Sequence, residues 1–272
     1  MSTLKLPLLI EPEELQRHLG HPELILADLS DRQTHAAYHI AGARHISYEQ
    51  LTAETPDTPG PLRAESPLAQ TLKSMGLTPN HHVIAYDDSG NTSACRLLWT
   101  LDLIGHPGYS LLNGGLRAWL DERRPTEQGE TTTPPGNAQF SVIDDPPSAG
   151  LLYLLQHLRN PATQLVDVRT PDEYHGHDLR AQRGGHIPGA INLPHALLVS
   201  PEHSGRLRPE TELRAVIQQH GIDPAREIIA YCQSHRRSAL VYFAFKIMGF
   251  PNIKAYPGAW QEWGNNLDTP IE

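Results

Sequence analysis

Short apolar runs alternate along the chain with amphipathic stretches, and the same order occurs twice. The runs ELILADL (23–29), HHVIAYDD (81–88), QLVDVR (164–169) and EIIAY (227–231) hold their apolar residues nearly consecutively rather than in alternation. That pattern predicts strands covered on both faces, as in a parallel sheet. Between them, EPEELQRHLG (11–20) has Pro in its first turn and Gly after its last, which predicts a helix. LAQTLKSMGL, CRLLWTLDLIG and the stretch from Arg237 to a stop at Gly249 read the same way. Residues 52–67 are rich in Pro, Thr and Gly and predict a surface loop. The alternation of strand and helix predicts the α/β class: domains with a mainly parallel central sheet flanked by helices.

The repetition is of domain size. HHVIAYDDSGNTSACRLLWTLDLIGHPGYSLLNGGLRAW lines up with REIIAYCQSHRRSALVYFAFKIMGFPNIKAYPGAWQEW, pairing Ala85-Tyr86 with Ala230-Tyr231, Gly114 with Gly258 and Trp119 with Trp263. LILADL matches QLVDVR, and YHIAGA matches GHIPGA. A tandem duplication follows, with a first domain over 1–127, an exposed extended linker over 128–147 and a second domain over 148–272. The Pro, Thr and Gly content of PTEQGETTTPPGNAQFSVIDDPP marks the joint.

Composition narrows the chemistry. The 272 residues are 39% hydrophobic, enough for two ordinary cores, and carry a formal net charge of −9. A negative chain of this kind is a poor general binder of nucleic acid or of a membrane surface, since both need a positive field. Two cysteines, Cys95 and Cys232, allow no disulfide framework and no CxxC metal array. The sixteen histidines are scattered along the chain, and no zinc site is read from them. A reducing compartment, the cytoplasm, fits this cysteine usage, and residues 1–15 lack the pattern of a secretory signal.

The candidate site lies where the strand 228–231 meets the following helix. Cys232 opens the loop Cys232-Gln233-Ser234-His235-Arg236-Arg237-Ser238. Unpaired amides at a helix start and the cations Arg236 and Arg237, with His235, favour an anionic sulfur there and enlarge the reactive thiolate fraction. The first copy has Asp87-Asp88-Ser89-Gly90-Asn91-Thr92 at this place, with no nucleophile. Its two carboxylates are expected to repel an anion, leaving that copy to supply packing and one wall of a cleft. Cys95, on an apolar helix, reads as core filling. His39 and His186 recur in both copies and are expected to be structural, as are Asp28 and Asp167. Asp167, Arg169 and Glu173 are expected to form a polar network beneath the loop. Arg237 either binds the anion or turns outward to solvent, and His195 either lines the pocket mouth or is a solvated surface residue.

The whole chain resembles the tandem-domain rhodaneses, and among them the bacterial two-domain proteins. The resemblance rests on GHIPGA (185–190), its weaker copy HIAGA (39–43), DVRTPDEY (167–174), the CQSHRRS loop (232–238) and YPGAWQEW (256–263). It implies an active second domain, an inactive first domain and a persulfide on Cys232, with no metal or organic cofactor. The implied reaction takes the sulfane sulfur of thiosulfate to cyanide or a small thiol by double displacement, with Gln233, Ser234, His235, Arg236, Arg237 and Ser238 as the binding and persulfide-stabilising loop. A monomer, free of nucleic-acid and membrane partners, is the expected form. Three alternatives stand beside this reading. One is 3-mercaptopyruvate as donor, although its specific enzymes resemble one another in a neutral Gly-Ser-Gly loop. Another is phosphatase or arsenate reductase chemistry, although C-x4-R is one residue shorter than the phosphate-wrapping C-x5-R loop. The third is a non-catalytic sulfur carrier or binding module. Ser234 and Pro188 stand where the animal rhodaneses carry Lys and Arg, which leaves the natural donor open.

Overall fold

The computed structural model describes residues 4–56, 58–131 and 134–272. Contacts divide the chain into two compact units. One runs to Pro146 and includes Ser200–Arg206; the other comprises Pro147–Val199 and Leu207–Glu272.

In the first unit the chain runs β1 (Leu9–Ile10), α1 (Pro12–His18), β2 (Leu24–Asp28), α2 (Arg32–Ala37), β3 (Arg44–His45), α3 (Tyr48–Thr52), β4 (Gly60–Pro61), α4 (Pro67–Ser74), β5 (His82–Tyr86), α5 (Thr92–Leu103), β6 (Tyr109–Leu112), α6 (Gly115–Asp121) and β7 (Ser141–Val142). Its main sheet has the order β1-β6-β5-β2-β3 with every pairing parallel. All five residues of β5 are buried, which is why that run shows no alternation. Local chemistry sets the helix starts. Ser66 caps α4 by accepting the Ala69 N–H at 3.2 Å, with Pro67 preset for the first turn.

The second unit continues with α7 (Leu151–His157), β8 (Thr163–Asp167), α8 (Pro171–Tyr174) and β9 (Ile191–Asn192). After the two short strands β10 (Val199–Ser200) and β11 (Arg206–Leu207) come α9 (Glu210–Gln219), β12 (Glu227–Tyr231), α10 (Arg237–Ile247), β13 (Ile253–Ala255) and α11 (Ala259–Trp263). The sheet order is β13-β12-β8-β9, again all parallel, and a parallel bridge from Ser148 to Ala255 stands where β1 pairs β6 in the first copy.

The duplication read from the sequence is a duplication of the core. Leu26, Ile40, Ile84, Tyr86 and Trp119 pack together in the first unit, and Leu165, Ile187, Ile229, Tyr231 and Trp263 in the second. Polar atoms repeat too. The Tyr86 hydroxyl accepts the Ile40 N–H at 3.1 Å, and the Tyr231 hydroxyl accepts the Ile187 N–H at 3.1 Å. The indole N–H of Trp119 donates to Pro125 O at 2.9 Å, and that of Trp263 to Pro270 O at 2.8 Å. Each large aromatic is thus buried with its polar end satisfied.

The expected linker is extended and largely exposed, but its described residues are hydrogen-bonded to the first unit. Gly129 N–H donates to Ala36 O at 3.1 Å, Gly136 N–H to Lys73 O at 2.7 Å and Ile143 N–H to Leu103 O at 3.1 Å, while β7 pairs antiparallel with β4. Extended backbone leaves amides free of local partners, so they find partners on the neighbouring surface. No described helix is long and apolar enough to cross a membrane.

Candidate active site

Strand β12 ends at Tyr231, α10 begins at Arg237, and Cys232 lies at the strand end, 1% exposed. The turn needs one residue in the left-handed region. His235 supplies it at φ 56°, opposite Gly90 at φ 83° in the first copy. The loop is held from the other side by the start of α11. Trp260 N–H donates to Cys232 O at 2.9 Å, and Gln261 N–H to Gln233 O at 3.0 Å.

The Ser238 hydroxyl, on the first turn of α10, donates to Cys232 Sγ at 3.5 Å. Its oxygen is 2.9 Å from His235 Nδ1. Because the single hydroxyl proton is directed at sulfur, His235 is assigned as the Nδ1–H donor of that pair. His235 is itself only 1% exposed, so it orients Ser238 rather than meeting a ligand as a free surface cation.

Arg237 turns inward. Its Nη1 and Nη2 lie 2.6 and 2.8 Å from Glu173 Oε2 and Oε1, a bidentate pair whose carboxylate is 3% exposed. Burial alone would raise the Glu173 carboxyl, but the Arg237 hydrogen bond and the Thr170 amide outweigh it and bring it to about 2. Burial likewise disfavours the Arg237 cation, yet Glu173 and the charge and hydrogen bond of Cys232 hold it above its ordinary range. The expected network is therefore two pairs. Asp167 binds Arg169, with Nη2 to Oδ2 at 2.6 Å, beneath the loop, and Arg169 lies 4.4 Å over the Trp260 ring. Glu173 serves Arg237 instead.

Gln233 is half-buried and donates its side-chain amide to Arg180 O at 2.9 Å; Ser234 is exposed and Arg236 half-buried at the helix start. His195 is half-buried on a short 3-10 turn, and burial, then the charge of Arg237, lower its imidazole. It stands within the field of both Arg237 and Glu173. Arg180 lies in the same field while pairing with Asp178 at 2.8 Å. His39 and His186 are structural in the same way. Their Nδ1 atoms bond His35 O at 2.8 Å and Tyr174 O at 3.0 Å.

The first copy corrects the expectation of repulsion. Asp87 is 1% exposed, and its carboxylate is itself the anion in the loop. Oδ1 accepts the amides of Ser89 at 2.9 Å and Asn91 at 2.8 Å; Oδ2 accepts those of Ser93 at 2.8 Å and Ala94 at 2.9 Å. Residues 87–91 and 232–236 stand between strand and helix in the two copies, so Ser234, Arg236, Ser238 and Ala239 hold the sequence positions of Ser89, Asn91, Ser93 and Ala94. Of the two carboxylates, that of Asp88 is the exposed one. Cys95 is fully buried on α5, where burial, then the Asp87 charge, push its thiol up.

Sequence reasoning missed the clamp from α11 and the nearness of Arg180. The first had a signal: GGLRAW and PGAWQEW recur after the last strand of each copy. In the first copy Leu116 N–H donates to Asp87 O at 2.9 Å, and a Cβ on Gly115 would strike that same oxygen. Among the described residues no group of three or more His, Cys, Asp or Glu is arranged to hold a metal ion.

A lone cysteine at a strand-to-helix loop, doubled by a copy in which four amides hold a carboxylate there, defines a duplicated α/β protein whose two copies differ at this one loop. The chain belongs to the rhodanese family: the Rhodanese-like domain matches residues 11–122 and again 151–266. It is 40% identical over 267 residues to a thiosulfate sulfurtransferase of Azotobacter vinelandii, covering 98% of this chain and 97% of that one. It is 31% identical over 280 residues to a sulfur carrier protein of Thermus thermophilus, covering 97% and 95%. The crystal structure of the Escherichia coli 3-mercaptopyruvate sulfotransferase SseA superposes with a TM-score of 0.79 at 28% identity, covering 94% of this chain and all of that one.

Proposed function

We propose that this chain is a thiosulfate sulfurtransferase carrying sulfur as a persulfide on Cys232. In this reading residues 148–272 are the catalytic domain, 1–127 an inactive copy and 128–147 the segment between them. The observation that carries it is the paired loop: the place where four amides hold the Asp87 carboxylate in one copy is taken in the other by Cys232, whose sulfur accepts the Ser238 hydroxyl. A loop built to hold one anion suits a thiolate, and then a persulfide, at the same position.

The Cys232 thiolate attacks the outer sulfur of thiosulfate; the S–S bond of the donor breaks and sulfite leaves with the electron pair, giving Cys–S–S⁻. Cyanide, or a thiol as its thiolate, then attacks the terminal sulfur, and thiocyanate or a persulfide leaves while the thiolate is restored. No cofactor is needed, because sulfur itself accepts and releases the pair. Ser238 donates to the sulfur, His235 orients Ser238, and Arg237 supplies positive charge beside it. The amides of Ser234, Arg236, Ser238 and Ala239 line the loop, Gln233 ties it to Arg180, and the side chain of Arg236 draws in the anionic donor. The cationic loop favours thiosulfate over 3-mercaptopyruvate. The enzyme acts in the cytoplasm as a monomer on small molecules.

The test is thiocyanate formation from thiosulfate and cyanide, with mass spectrometry of the Cys232 peptide. An added sulfur that cyanide removes, and loss of turnover in Cys232→Ala, are expected. Normal turnover in that variant would overturn the assignment, and a stable persulfide without turnover to small acceptors would make the chain a carrier.

A further inference from the structure

Glu173 and Arg237 are 64 positions apart in sequence, at the starts of α8 and α10, which follow the neighbouring parallel strands β8 and β12. Glu173 does two things. Its Oε2 takes the Thr170 N–H and hydroxyl, each at 3.1 Å, completing a capping box, and both oxygens hold Arg237. The capping box alone would be served as well by glutamine. The carboxylate charge is therefore needed only for the arginine, and a buried ion pair is a costly way to gain stability alone.

The two copies support the same distinction. The capping position Thr170 corresponds to Asp31, so Glu173 corresponds to Thr34, and Arg237 corresponds to Thr92. The copy with Asp87 in its loop lacks both partners of the pair; the copy with Cys232 there has both.

We propose that Glu173 is a positioning residue for sulfur transfer, fixing the Arg237 guanidinium beside Cys232 before a donor arrives. This rests on Cys232 as the sulfur carrier. Held by two oxygens, the guanidinium keeps one orientation toward the sulfur, which a freely rotating side chain would adopt only part of the time. The pairing also leaves the pocket less positive than its arginine count suggests. The charged and titratable groups around this centre include Cys232 and, through Ser238, His235 from the loop, His195 from the 3-10 turn, Arg180 from the segment after α8 and the Asp167–Arg169 pair.

The experiment is a double-mutant cycle with Glu173→Gln, Arg237→Gln and both together, read by kcat and KM for thiosulfate and by the rate at which iodoacetamide alkylates Cys232. Glu173→Gln keeps the capping box, and thermal melting checks that each variant is folded. The expected result is a fall in kcat/KM of about tenfold or more for each single change, slower alkylation, and little further loss in the double variant. A folded Glu173→Gln enzyme with unchanged kcat/KM and alkylation, or losses that simply multiply, would overturn the proposal. Alkylation needs no sulfur donor, so it still decides the role of Glu173 if the wild-type chain forms no thiocyanate, a result that would count against the sulfurtransferase reading instead.

Discussion

Asp87 Oδ2 accepts the backbone N–H of Ser93 at 2.8 Å, so the first copy carries its own anion where the second carries a sulfur. With four amides on one carboxylate, removing it strands buried donors. Asp87→Ala is expected to destabilise the first unit by about 2–4 kcal/mol, and Asp87→Asn by less, because its amide oxygen still accepts while its NH₂ faces donors. Urea denaturation of the three proteins checks the order; equal stability would mean the loop does not depend on an anion.

The two thiols should separate cleanly in labelling. Cys95 is fully buried, with burial and Asp87 both favouring its neutral form, whereas Cys232 faces a hydroxyl donor and a guanidinium. Native protein treated with iodoacetamide is expected to carry the label on Cys232 alone, with Cys95 reacting only in denaturant. Peptide mass spectrometry reads both sites at once.

Ser238 places its hydroxyl on the sulfur, and His235 keeps it there. Ser238→Ala removes a donor to an anionic sulfur and is expected to lower kcat/KM for thiosulfate by about tenfold. His235→Ala should act in the same direction through Ser238 and add little in the double variant. Steady-state kinetics with cyanide as acceptor would show independent losses if the two do not act together.

Acid should weaken the first unit through His82. Its Nε2 is 2.7 Å from Ser110 Oγ, which donates onward to Pro7 O at 2.6 Å, and burial, then the charge of His106, lower the imidazole to about 4 from 6.5. Below pH 6.5 the unfolded chain takes up a proton that the folded unit refuses, so stability present above that value is lost as pH falls toward 4. His81 and His106 shift in the same direction, each through burial first. Amide exchange at β5, followed from pH 7 to 4, is expected to show a shallower loss in His82→Asn than in the wild type; equal slopes would remove His82 from the account.

Much of this protein is legible in one dimension, because the signals are local or repeated. Consecutive apolar residues announce strands buried on both faces, Gly and Pro mark the ends of helices, and two copies of the same pattern announce two units. Cys232 is legible for the same reason. A thiol between an apolar strand and a helix can be recognised from its immediate neighbours, and Asp87 at the matching place marks the difference between the copies.

What tertiary structure decided are the partnerships between residues far apart in sequence. Periodicity could not tell whether Arg237 faces solvent or sulfur, since the first residue of a helix can turn either way; Glu173, brought in by the neighbouring strand, turns it inward. Nor could composition show that Asp87 occupies its loop instead of repelling an anion from it, because an acidic residue reads as a surface charge until four amides converge on it. Residue type and spacing set the elements and the nucleophile. Orientation and charge pairing at the site arise only when the parallel sheet brings β8 and β12 side by side, because hydrogen bonds and ion pairs depend on distances that the chain alone does not specify.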